Sequence, residues 1–290
     1  SFTGLSLSSS AWSNGRADAV AGVNYETGHL LRTPLDGQSY AFAGESLKML
    51  AGGSILYKMT YGGTLNVPLM TIASEAAVSN GQGNYPCTFA GNLWTIESGA
   101  VLKCKIDADS YTDTRNLTLT APLAGSGKLL LTDGNAKHGQ GAITGKGENG
   151  GFKGALEVDN YSGNVEFIVD GPVAWPSDPD VFQADAVRFN NRVKAVFNYD
   201  ANSGANRGLT FANGVVLDIL PGRNVSLGGA IVAANGFRKT GEGTLSLRGD
   251  SPQLTGAVFV ESGTLQLAHK GAMGTAHLTM GTQTTLSLDV

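Results

Sequence analysis

Over the last quarter of the chain, apolar residues come in pairs with one residue between the members, and the pairs recur at a nearly fixed interval. Val225 and Leu227, Leu245 and Leu247, Leu265 and Leu267, and Leu286 and Leu288 follow at steps of 20, 20 and 21 residues. A second series, Val258 and Val260, returns as Leu278 and Met280 at a step of 20. Alternate side chains of a strand face one side, so a two-residue alternation nested in a long constant period predicts short strands stacked by a coiling chain. That is the signature of an all-β, parallel β-solenoid.

Strand spacing turns the period into geometry. With each turn about 4.8 Å above the last, Leu245 stacks between Val225 and Leu265 in an interior column. Each such side chain taken out of water contributes roughly 1.5–3 kcal/mol. No single turn buries its own apolar face, so stability arises only on stacking. The corners are supplied by Gly241-Glu242-Gly243, Gly249-Asp250-Ser251-Pro252, Ser262-Gly263, Gly271 and Gly281, residues suited to turns.

Elsewhere the rhythm is looser. Residues 1–38 are Ser- and Gly-rich and read as an irregular first coil or a cap over the open end of the ladder, with Trp12 and Tyr25 as its apolar filling. An apolar residue, a spacer, a glycine and then alternating apolar positions recur at Phe42-Ala43-Gly44, Phe89-Ala90-Gly91, Phe152-Lys153-Gly154 and Leu254-Thr255-Gly256. Gly125-Ser126-Gly127-Lys128-Leu129 likewise matches Gly241-Glu242-Gly243-Thr244-Leu245. Between 170 and 205 the pattern lapses, and three prolines at 172, 176 and 179 exclude a central strand there. The expected organisation is one elongated domain, 1–290, with a cap at 1–38, an insertion at 170–205 and its most regular repeats at 224–290.

Composition sharpens this. Glycine makes up 41 of 290 residues, about twice the usual 7% or so, and lacks a three-residue period; many corners account for it. Twenty basic residues against twenty-four acidic ones give a net charge of −4, which argues against nucleic acid or anionic lipid as the main partner. No apolar run reaches the roughly 18 residues of a membrane helix. No charged-then-apolar signal segment opens the chain, and the ends at Ser1 and Val290 suggest a piece of something longer. Cys87 and Cys104 are the only cysteines. Their separation of 17 is close to one turn, so a disulfide between adjacent coils stands beside the alternative of two buried free thiols.

Candidate chemistry is sparse. Trp175 with Asp178, Asp180 and Asp185 in the insertion has the residue types to stack a sugar ring and bind its hydroxyls or a Ca²⁺ ion; against this, such a Trp commonly packs onto the coil and such Asp residues cap turns. Asp107, Asp109 and Asp113 alternate as in a calcium loop, but Thr112 and Thr118 stand where that loop needs Gly and Glu. His138-Gly139-Gln140-Gly141 is faintly similar to the glycine-flanked histidine of β-helical polygalacturonases, without their paired aspartates. Gly125-Ser126-Gly127-Lys128 lacks the spacing of a phosphate loop, and Ser126 that of a serine nucleophile turn. The four histidines show no metal-ligand spacing. A non-enzymatic module without cofactors is therefore the expectation, with a polysaccharide-active β-helix enzyme or a glycan-binding module as the alternatives.

One stretch carries a family likeness. Gly236-Phe237-Arg238-Lys239-Thr240-Gly241-Glu242-Gly243-Thr244-Leu245-Ser246-Leu247, followed by Leu254-Thr255-Gly256-Ala257-Val258-Phe259-Val260-Glu261-Ser262-Gly263-Thr264-Leu265-Gln266-Leu267, resembles the autotransporter-associated β-strand repeat. The likeness is close over 236–271 and weak over 125–170, and Leu254 stands where that repeat has an aromatic. The resemblance implies a right-handed, single-stranded parallel β-helix passenger exported through the periplasm to the surface of a Gram-negative bacterium. It would act there as a stalk or adhesin toward a host or matrix glycan or protein. It also implies a translocator barrel elsewhere in the parent chain.

Overall fold

The computed structural model describes residues 1–5, 19–33, 39–58, 62–81, 85–106, 114–134 and 140–290. Every strand pairing among them is parallel, and the strands stack into a β-solenoid with three sides. The second side is a nine-stranded sheet running from Leu30–Arg32 to Ile231–Val232, and the third an eleven-stranded sheet from Tyr40–Ala41 to Leu278–Met280. The first side is built from two sheets. Six strands end at Leu123–Gly125, and five begin at Ala201–Ser203. Both follow the third side in chain order and precede the second, so they occupy the same flank.

The interior columns are in the register that the periodicity dictates. Val225 pairs with Leu245, Leu245 with Leu265, and Leu265 with Leu286. The first three are fully buried, while Leu286, in the last turn of this chain, is 42% exposed. Val258 and Val260 lie over Leu278 and Met280 as expected. Further along the rod the lumen is filled by aromatic rings. Phe189 stacks on Phe211 with centroids 5.5 Å apart, Phe211 meets Phe237 edge-on, and Phe89 sits between Tyr57 and Trp94. The Trp94 indole N–H donates to the Val67 carbonyl at 2.8 Å, so its burial leaves no unmade bond.

One interior position is a lysine. Lys239 aligns with Leu217 on one side and Val260 on the other and has no exposed surface. Its ammonium donates to the carbonyls of Thr240, Gly241 and Ser262 at 3.1, 2.6 and 2.9 Å. Those three bonds use all three of its donors. Lys239 thereby ties the corner of its own turn to that of the next, a physical reason for lysine in the Lys-Thr-Gly segment. Burial pushes its pKa down to about 8, against the pull of Glu242 and Asp218.

The structure revises three expectations. The irregular segment is shorter than 170–205: Gln183–Phe189, Lys194–Phe197 and Ala201–Ser203 are ladder strands, and only 170–182 departs from the pattern. Within 1–38, Asn24–Thr27 and Leu30–Arg32 already pair with Ser46–Met49 and Ser54–Leu56, so that part is regular coil rather than cap. Trp12 lies outside the described residues. The apolar-x-Gly segments do not mark one corner. Phe42 and Phe89 lead from the third side to the first, Phe152 leads into the second, and Leu254 into the third. What Phe42-Gly44 and Phe152-Gly154 share is local, since a Cβ on either glycine would strike the preceding phenylalanine ring at 2.7 and 2.5 Å. Finally, Cys87 and Cys104 are free thiols on two different sheets, not stacked on adjacent coils. A turn in this part of the chain takes 24 to 30 residues, as Leu65, Phe89 and Leu119 show, so a separation of 17 falls short of one. Burial pushes the Cys104 thiol up to about 12, and Cys87 also well above its ordinary value.

Candidate functional site

The break in the first side is where the sequence places its candidate ligands. After Leu123–Gly125 the next turn offers one bridge, Leu123 with Asn149, and the turn after that a 3-10 helix, Pro172–Ala174. Proline has no N–H for the ladder and a fixed φ, so this run turns inward instead of pairing. Gly145 makes room for it. A Cβ there would lie 2.3 Å from that of Ala174.

Trp175 follows the helix and is only 5% exposed, packed edge-on against Phe197 with centroids 5.5 Å apart. It presents no ring face to a sugar, which corrects the stacking role. Asp178 is partly buried, accepts from the Asn206 N–H at 3.3 Å and lies near Arg207. Asp180 is on the surface, paired with Lys153 at 2.5 Å. Asp185 pairs with Arg188 at 2.9 Å and accepts from the Thr210 hydroxyl. The three carboxylates thus serve three separate partners and do not converge. Asp107, Asp109, Asp113 and His138 lie outside the described residues, as does any site they form.

Arg207, which no sequence motif singles out, holds the break together. It has no exposed surface, and its guanidinium donates to the carbonyls of Gly154 and Ala186 at 3.2 Å and to that of Ser177. Those acceptors come from consecutive turns. Burial lowers its pKa to about 10, opposed by Asp178; a guanidinium with that value is still charged at neutral pH. The only hint in the sequence is a basic residue opening an apolar run, and that is weak.

The outer surface is organised by turn. Lys103–Glu75, Lys128–Glu157, Lys146–Asp170, Lys153–Asp180, Lys194–Glu166, Lys194–Asp218 and Arg238–Glu261 each join side chains on neighbouring turns. On the second side, Lys105, Thr132 and Asp159 form one outward column, and with Lys103 and Tyr161 they line a cleft of about 210 Å³. Burial pushes the Asp159 carboxyl up, Asp133 and Glu157 add to this, and the neighbouring Tyr161 hydroxyl opposes it. Sequence reading misses this cleft because its members are one turn apart. Among the described residues no group of three His, Cys, Asp or Glu side chains is placed to hold a metal ion. The chain matches no protein-family model, no curated protein and no solved structure.

Proposed function

We propose that this chain is a non-enzymatic stalk or adhesive module of an exported, autotransporter-like bacterial surface protein. The observation that carries the reading is the use made of its charged side chains: ion pair after ion pair links one turn to the next. Single exposed pairs contribute only about 0–1 kcal/mol each, but a series of them along a rod resists splaying of the turns. A continuous apolar and aromatic lumen supports the same role. The repeat likeness at 236–271 is the support for an export route and a cell-surface setting.

Fusing the chain ahead of an outer-membrane translocator barrel in a Gram-negative host tests this. Surface display of a protease-resistant rod, with no product released from uronic-acid polymers or mucin-type glycans, is the expected result. Retention in the periplasm, or reproducible cleavage of either polymer by the purified chain, overturns the reading.

A further inference from the structure

On the outer side of the third sheet, Lys194, Val216, Arg238, Phe259 and Thr279 form one column, each one turn above the last. Phe259 is 44% exposed and packs into no lumen. It lines a cleft of about 240 Å³ whose other walls include Arg238, Glu261, the apolar Val215 and Ala257, and the corner residues Asn213 and Asn235. Gly214 and Gly236, with φ of 73° and 70°, close the two corners tightly and set the two asparagines at equivalent places on successive turns. Arg238 and Glu261 form an ion pair across the cleft.

We infer that this cleft binds one neutral pyranose ring of an oligosaccharide. The face of Phe259 takes the apolar C–H face of the ring, since aromatic side chains bury large area at low entropic cost. The asparagine amides and the paired guanidinium and carboxylate supply donors and acceptors for its hydroxyls. Size fits one ring, because the cleft is below the roughly 300–1,000 Å³ of sites for drug-sized ligands. Charge sets the class. Arg238 and Glu261 cancel one another, so a neutral polar ligand keeps the pair intact whereas a uronate competes with Glu261 for the guanidinium. The inference goes beyond a stalk role and stands whether or not the chain is exported.

The test is binding of the whole chain to an array of maltose, lactose, cellobiose and chitobiose oligomers, with hyaluronan as the charged control. Saturable binding to a neutral member is expected, at least tenfold weaker in Phe259→Ala, retained in Phe259→Trp and severalfold weaker in Asn235→Ala. Thermal melts check that both Phe259 variants keep the fold, and Phe259→Trp reports on the cleft should Phe259→Ala unfold. No saturable binding to any neutral oligomer, equal binding by Phe259→Ala, or preference for hyaluronan overturns the inference.

Discussion

The turns beyond Val225 and the turns between Leu65 and Phe197 obey the same register but differ in length. In the first region the interior column Val225, Leu245, Leu265, Leu286 advances by 20, 20 and 21 residues. In the second, the column Leu65, Phe89, Leu119, Gly145, Val169, Phe197 advances by 24, 30, 26, 24 and 28. Both columns are unbroken. Strand pairing fixes what is stacked, while corner length is left free because corners point outward and loop closure costs little more as a loop lengthens. A constant period is therefore sufficient evidence for a ladder, not a necessary one.

Interior deletions sharpen the comparison most. Leu245→Ala should cost about 2–5 kcal/mol, the range for a buried leucine truncated to alanine, because Leu245 is fully buried between two neighbours. Leu286→Ala, in the same column but 42% exposed, should cost under about 1 kcal/mol by the same scale. Denaturant melts of the two variants check this; equal losses would contradict the difference in burial between the two positions.

A second substitution probes the irregular region alone. Gly145→Ala places a methyl against Ala174, and overpacking of this kind costs about 1–3 kcal/mol. Pairing it with Ala174→Gly should recover part of the loss. No recovery would show that the 3-10 helix does not lie where it is placed.

Smaller effects follow at the corners and the outer face. Arg192 has a φ of 61° at the corner where later turns place Gly214 and Gly236. A side chain in that conformation costs about 1–2 kcal/mol, partly offset by its hydrogen bond to the Tyr161 carbonyl at 2.7 Å. Arg192→Gly should raise stability by up to about 1 kcal/mol, seen as a shift in melting temperature. Glu157 gives the least. Burial alone would raise its carboxyl, but hydrogen bonds from Lys128 and Asn190 hold it below its ordinary value. A carboxyl lowered on folding contributes stability above the unfolded value, near about 4.3, and loses it as pH falls through the folded value. Glu157→Gln should flatten the acid limb of the stability curve between about pH 5 and 3 by less than about 1 kcal/mol. A limb of unchanged slope would contradict the shift.

The fold was legible wherever inward positions carry uniform aliphatic residues, as at 224–290. It was obscured at 183–205 because Asp185, Arg188, Asn190 and Lys194 crowd the outward positions, hiding the alternation of Val187, Phe189, Ala195 and Phe197, all buried. Lys239 and Arg207 escaped notice because a charged residue reads as outward until its carbonyl partners are known, and several of those partners lie on other turns. The candidate at Trp175 and Asp178 failed for the same reason. Sequence places the two residues together in a loop, but it does not say that the loop folds inward and spends its tryptophan on the lumen.

The central claim is one rod whose ladder runs through the irregular turns without a break. On the third side Thr64, Thr88, Thr118, Thr144, Ile168, Val196, Asp218 and Thr240 stack in register. Seven steps of about 4.8 Å place Thr64 and Thr240 about 34 Å apart, and both side chains face outward. Spin labels at these two positions, read by pulsed dipolar spectroscopy, should give a single narrow distribution near that distance once label length is allowed for. A distribution centred far shorter, or split in two, would contradict a continuous rod.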